Sequence, residues 1–208
     1  MPCLPGAGAG MGEGGDARGR IEAAAYRLFA ERGIRATAVE DILAACGAAR
    51  ATFYSVFGSK DGIALAYLEC LYQERRAAIG AAVACRGDGP EALAGVFDVF
   101  DVVVGGGRLP GGSLVQVLLE LGLAHPVGRA SLDYFARLRE DLAALAAERG
   151  IADPVGFARD CQLLLKGTLV SAAEGDPDAV ETGRRLARML VRNYCSCPDA
   201  RGGDGSLG

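Results

Sequence analysis

The sequence predicts an all-α chain in two parts, a small three-helix head at the N-terminus and a larger helical body, about nine helices in all. Three observations lead there. Between residues 17 and 196 apolar side chains recur at helical spacing, and no stretch alternates apolar and polar positions as a strand does. Gly- and Pro-rich breaks divide this region at RGDGP (86–90), GGGRLPGG (105–112), His125-Pro126, GIADP (150–154) and EGDP (174–177). Near the N-terminus, two segments of only eight or nine residues flank Gly47, far shorter than the helices that follow.

The first helix is expected from about Arg18 to Arg32. Ile21, Ala24, Ala25, Leu28 and Phe29 fall on one face, and Gly33 stops it as a C′ residue. The second starts after Thr37, with Glu40 and Asp41 in its first turn, and ends before Gly47. The third covers about Ala49 to Phe57, turning Phe53, Val56 and Phe57 inward. Gly58 breaks it, and Ser59 can cap a longer fourth helix from Lys60 to about Arg86. Further helices are expected at about 91–104, 113–124, 127–149, 155–174 and 177–196. The head is placed at 17–62 and the body at 63–197. Residues 1–16 and 198–208 are mostly Gly, Ala, Pro and Asp and are expected to be disordered, without a basic run that could grip nucleic acid.

Composition narrows the function. The chain has 208 residues, half of them apolar, and a net charge of −4, which does not suit a protein that coats nucleic acid. The charge is unevenly placed. Residues 17–61 carry Arg18, Arg20, Arg27, Arg32, Arg35, Arg50 and Lys60 against Glu22, Glu31, Glu40, Asp41 and Asp61, a small positive head on an acidic body. Seven cysteines with no C-x-x-C pair, and His125 as the single histidine, give no ordinary zinc site. No metal or cofactor is expected. His125, before Pro126, reads as a turn residue, and Cys195 with Cys197 lies too close in sequence for good disulfide geometry. No apolar run approaches the roughly 20 residues that span a bilayer. No leader peptide is visible, so a cytoplasmic location with reduced thiols and no membrane partner is expected. Paired carboxylates in an apolar setting, a phosphate loop after a strand and a Ser/His/Asp set are not evident, so an enzyme is not expected.

The short helices around Gly47 form a helix-turn-helix. Such a unit needs a second helix that is short, exposed on one face and anchored by large apolar groups on the other. Phe53, Val56 and Phe57 are the anchor, which leaves Arg50, Ala51, Thr52, Tyr54 and Ser55 for double-stranded DNA. Arg50 can give two hydrogen bonds to a guanine, while the hydroxyls of Thr52 and Tyr54 suit phosphate oxygens. Ala51 is small enough for close approach. Lys60, with the free amides that open the fourth helix, suits another phosphate, and Thr37 is expected to do the same at the second helix.

The stretch from Arg20 to Leu68 resembles the N-terminal domain of TetR-type transcriptional regulators. The resemblance rests on the A-x-x-L-F-A-E-R-G of the first helix, on Thr37 and Ile42 of the second, and on the A-x-x-x-F-Y-x-x-F-x-S-K-D that joins the third to the fourth. It covers about a quarter of the chain; the remainder is similar in layout alone. The resemblance implies a homodimer, released from a palindromic operator by a small-molecule effector, with DNA contacts at Thr37, Arg50, Thr52, Tyr54 and Lys60. Two positions depart from the pattern. Ala48-Ala49 stands where the family usually has Val-Ser, removing a helix cap that is worth about 1 kcal/mol, and Ala51 stands where Gly is usual.

Two further sets of residues are candidates. On the last two helices, Phe157, Leu164, Leu165 and Thr168, with Gly183, Ala187, Leu190, Val191 and Tyr194, form apolar stripes suited to a four-helix dimer interface. Gly167, Gly183 and Ala187 would let the helices approach closely. In the middle of the chain Phe97, Phe100, Leu118, Leu121, Tyr134, Phe135 and Leu138 are either the lining for a mainly apolar effector or plain core.

Overall fold

In a computed structural model of the chain, residues 13–98 and 113–196 are described. Among these residues there is no strand, and no helix is long and apolar enough to cross a membrane. The helices are α1 (Glu13–Arg32), α2 (Val39–Cys46), α3 (Arg50–Phe57) and α4 (Lys60–Ala84). A 3-10 helix follows (Pro90–Phe97), and then four α-helices, Leu114–Leu121, Pro126–Glu148, Pro154–Ala173 and Ala179–Ser196.

Two elements differ from the expectation. α1 starts at Glu13, inside the segment read as a disordered arm, although Gly14 and Gly15 weaken helix formation there. The segment after Pro90 is a 3-10 helix where an α-helix was expected. Gly95 lies so close to α4 that a Cβ on it would come 2.6 Å from the Ala82 carbonyl oxygen. Of the Phe100 region nothing is described.

The chain divides into two compact units, whose described residues fall within Met1–Glu74 and Leu109–Phe135 for the first, and Arg75–Arg108 and Ala136–Gly208 for the second. This differs from a boundary at 62/63. α4 is one continuous 25-residue helix through that point. The first unit also includes the Leu114–Leu121 helix and the start of the next, where the Tyr134 ring lies 5.8 Å from Tyr72 of α4.

The second unit has its own core. Ile79 and Val83 of α4, Leu93, Val96 and Phe97 of the 3-10 helix, Leu142 and Ala146, and Phe157, Cys161, Ala187 and Val191 of the last two helices are all buried in it. The last two helices meet closely because Gly183 has no side chain: a Cβ there would lie 2.5 Å from Thr168 Oγ1. Phe157 meets the Tyr194 ring edge-on at 5.3 Å, and the Tyr194 hydroxyl donates to Asp160 Oδ2 at 2.7 Å. Burial pushes the Cys161 thiol well above its ordinary value. Burial, followed by the charge of Glu91, also raises the Cys195 thiol. Both are therefore poor nucleophiles at neutral pH. Cys197 lies outside the described residues.

This packing changes the reading of the dimer stripes. Phe157, Thr168, Gly183, Ala187 and Val191 are buried within the chain's own unit, and Leu164, Leu165, Leu190 and Tyr194 pack on the same core. The outward face of these two helices carries other apolar residues. Leu163 is 74% exposed and Met189 54%, with Val170 and Leu186 exposed beside them. Gly167 faces open space.

Candidate nucleic-acid interface

α1 packs against α2 and α3, and Phe53 is the buried side chain of α3. Phe53 is completely buried, with its ring 5.7 Å from Phe57 and edge-on to Tyr54 at 5.3 Å. Arg50, Ala51, Tyr54 and Ser55 are exposed and Thr52 is half-buried, so one face of an eight-residue helix is bare. The turn before it is made by Gly47, at φ 66°, a left-handed conformation that glycine adopts without steric cost. Its N–H donates to the Leu43 carbonyl at 2.9 Å and closes α2. Ala49 caps α3 without a side-chain hydrogen bond, as the missing serine implies.

The turn into α4 is equally constrained. Ser59 Oγ accepts from the Gly62 N–H at 3.0 Å, which is the expected cap. Gly62 must be glycine for a separate reason: a Cβ there would lie 2.0 Å from the Phe57 carbonyl oxygen. From the other side, the Arg18 guanidinium of α1 sits over the Phe57 ring at 5.3 Å. The exposed face of α3 is thus carried on a frame of close contacts.

Arg50 is the most strongly organised group on that face. Its Nη2 donates to Glu40 Oε1 of α2 at 2.5 Å, and its guanidinium lies over the Tyr54 ring at 5.8 Å. The hydrogen bond to Tyr54 first, and then the charge of Glu40, raise its pKa further above an already high value, so Arg50 is a cation at every physiological pH. Both partners in the Arg50–Glu40 pair are exposed, and such pairs are weak. A base edge or a phosphate can therefore take the guanidinium from Glu40. Lys60 is half-buried and its Nζ donates to the Arg35 carbonyl at 3.2 Å, which holds the ammonium beside the turn between α1 and α2.

Thr37 is not part of this surface. It was expected to face DNA at the start of α2, yet it is fully buried, and its hydroxyl donates to the Gly33 carbonyl at 2.8 Å. The cap position is Ala38, one residue later, whose N–H donates to Asp41 Oδ2 at 3.0 Å.

The middle-chain candidates are divided by the structure. Leu118, Leu121 and Tyr134 are half-buried and Phe135 is buried, all in the first unit. Phe97 is 1% exposed in the core of the second unit, where Leu138 is half-buried. Phe100 lies outside the described residues. His125 is a junction residue, as expected. Its Nδ1 accepts from the Val127 N–H at 3.2 Å, and its Nε2 lies 3.8 Å from Asp61 Oδ1. Among the described residues no group of His, Cys, Asp and Glu could hold a metal ion.

Sequence reasoning missed two members of this site. Glu40, which holds Arg50, read only as a favourable charge in a first turn. Glu120, on the Leu114–Leu121 helix, accepts from the N–H groups of Ile34 and Arg35 in the turn between α1 and α2. No spacing rule links position 34 to position 120.

Comparison with known proteins fits this geometry. Residues 21–67 match the model for bacterial regulatory proteins of the tetR family. No curated protein sequence matches the chain. Among solved structures, a TetR-family transcriptional regulator from Streptomyces coelicolor is 28% identical, over 86% of this chain and 96% of that one, with a TM-score of 0.71. A TetR regulator from Streptomyces avermitilis (24% identity, 86% and 98% covered, TM-score 0.69) shares the fold. So does one from Cytophaga hutchinsonii (14%, 89% and 98%, 0.73). Residues 21–67 carry the N-terminal domain of the tetR family of bacterial regulatory proteins, which are DNA-binding regulators of transcription, and the helical layout of such regulators is shared along most of the chain.

Proposed function

We propose that the chain is a cytoplasmic repressor that binds a roughly palindromic operator as a homodimer and leaves it when a small, mainly apolar effector binds. The observation that carries this reading is the division of α3, with Phe53 wholly buried and Arg50, Ala51, Tyr54 and Ser55 exposed on the opposite side. A recognition helix needs both properties, since it must enter the major groove without moving in its own head. Arg50 reads bases, Tyr54, Thr52 and Ser55 contact the backbone or the groove edge, and Lys60 holds a phosphate. A palindromic site follows from a two-fold dimer, and Leu163, Val170, Leu186 and Met189 supply an apolar face for it. Support for an apolar effector comes from Leu118, Leu121, Tyr134 and Phe135, which share the head's unit.

A gel-shift titration on a duplex from the region upstream of the protein's own gene tests the reading. Half-saturation at about 10 nM or tighter, with random duplex failing to compete, is the expected result. Equal binding to both duplexes at roughly micromolar concentration, the range of non-specific contact, would instead make the chain a helical ligand-binding protein with a head that no longer reads DNA.

A further inference from the structure

The turn between α1 and α2 is held from both sides. Gly33 ends α1 at φ 87°, and after it the N–H groups of Ile34 and Arg35 both point at one carboxylate, that of Glu120. Ile34 donates to Oε2 at 3.2 Å and Arg35 donates to Oε1. The carboxylate lies so close that a Cβ on Gly33 would come 2.7 Å from Oε2, so the glycine serves both the turn and the approach of Glu120. The carbonyls of the same segment are also engaged. Thr37 donates to Gly33 O, and Lys60 donates to Arg35 O. Hydrogen bonds from two successive amides to a carboxylate are of the stronger, charge-assisted kind. Glu120 stands in the last turn of the Leu114–Leu121 helix, 85 residues from Arg35.

From this geometry we infer that Glu120 is a positioning residue for DNA recognition. Its carboxylate fixes the peptide between Gly33 and Arg35, the Arg35 carbonyl fixes the Lys60 ammonium, and α2 starts three residues further on at Ala38 and Val39. A helix outside the helix-turn-helix thereby sets the place of a phosphate-binding group within it. Withdrawal of the last turn of that helix removes the carboxylate and frees the turn. The inference rests on the reading that this head binds DNA.

Simple electrostatics predicts the opposite sign, and that makes the inference testable. Glu120 is a negative charge on the unit that meets a polyanion, so deleting it as a mere charge should tighten binding to every DNA. Deleting a positioning group should weaken binding to the operator. The experiment uses the full chain with Glu120→Ala and Glu120→Gln, and a duplex that the wild type enriches from a random pool. Amide hydrogen exchange at Ile34 and Arg35 is first measured without DNA. Exchange about tenfold faster in Glu120→Ala is expected, with Glu120→Gln between it and the wild type because its carboxamide keeps one acceptor oxygen. Operator binding is expected to weaken about tenfold in Glu120→Ala, and Lys60→Ala should cost less in that background than in the wild type, because the two act through one turn. Unchanged exchange would overturn the grip. Faster exchange with unchanged or tighter operator binding, or strictly additive effects with Lys60→Ala, would overturn the positioning role. If Glu120→Ala does not fold, the same comparisons are made with Glu120→Gln, where equality with the wild type in both exchange and binding overturns the inference. Failure of the wild type to enrich any duplex would count against DNA recognition itself, while the exchange measurement still decides the grip.

Discussion

Replacing Phe53 by Ala is expected to abolish operator binding without removing any group that touches DNA. Phe53 is completely buried and joins the rings of Phe57 and Tyr54 beneath the recognition helix. Truncating a buried Phe costs about 3–5 kcal/mol through lost transfer energy and the cavity left behind. A small domain has only about 5–15 kcal/mol of stability. α3 is eight residues long, too short to be helical on its own, so it depends on this contact. The measurement is thermal unfolding followed by circular dichroism, together with a binding titration. A lower first transition and loss of the shift are expected. Unchanged melting with retained binding would mean that α3 is held by something other than Phe53.

A pair of charges on the outer face of the last two helices should separate the dimer. Leu163 and Met189 are exposed in the single chain, and in the proposed dimer they are covered. Changing both to Asp places carboxylates in an apolar interface, where an unpaired charge costs several kcal/mol. Sedimentation at micromolar concentration should give the mass of a single chain, and operator affinity should fall by roughly 100-fold or more because two linked half-site contacts become one. Leu190, one of the stripe residues read from the sequence, is a poorer test. It packs against the chain's own core, so a charge there damages the fold as well. If the double variant kept the dimer mass, the interface would lie elsewhere on the chain.

The two cases show what the residues disclose in advance. The head is legible because its contacts are local. Apolar spacing gave Phe53 as the anchor, Gly47 marked the turn, Ser59 marked the α4 cap, and Arg50 and Tyr54 were left over for the ligand. Thr37 was misplaced by one position. A threonine before an acidic first turn reads as a cap, and nothing in the spacing says that the Gly33 carbonyl lies within its reach. The last two helices were found, but their faces were not separated. Leu163 and Leu164 are adjacent leucines, and composition cannot tell which one turns outward when Gly183 meets Thr168. The exposed pair differs from the stripe that spacing suggested for this reason. Glu120 was invisible for a different reason. A glutamate between leucines on an amphipathic helix reads as a solvated face, and its partners are backbone amides that carry no sequence signature.

The central claim is that α3 reads DNA with Arg50 while Lys60 holds the backbone. A salt titration of binding to the operator duplex and to random duplex, for Arg50→Ala and Lys60→Ala, tests it most directly. For Lys60→Ala the account predicts equal weakening on both duplexes, with the slope of log affinity against log salt lower by about one unit. For Arg50→Ala it predicts a loss of about 1–3 kcal/mol on the operator and little change on random DNA. Equal losses on both duplexes for Arg50→Ala would make Arg50 a phosphate clamp and leave specificity to Thr52, Ser55 and the shape of the DNA. No change in either variant would contradict the helix-turn-helix as the DNA-binding element of this chain.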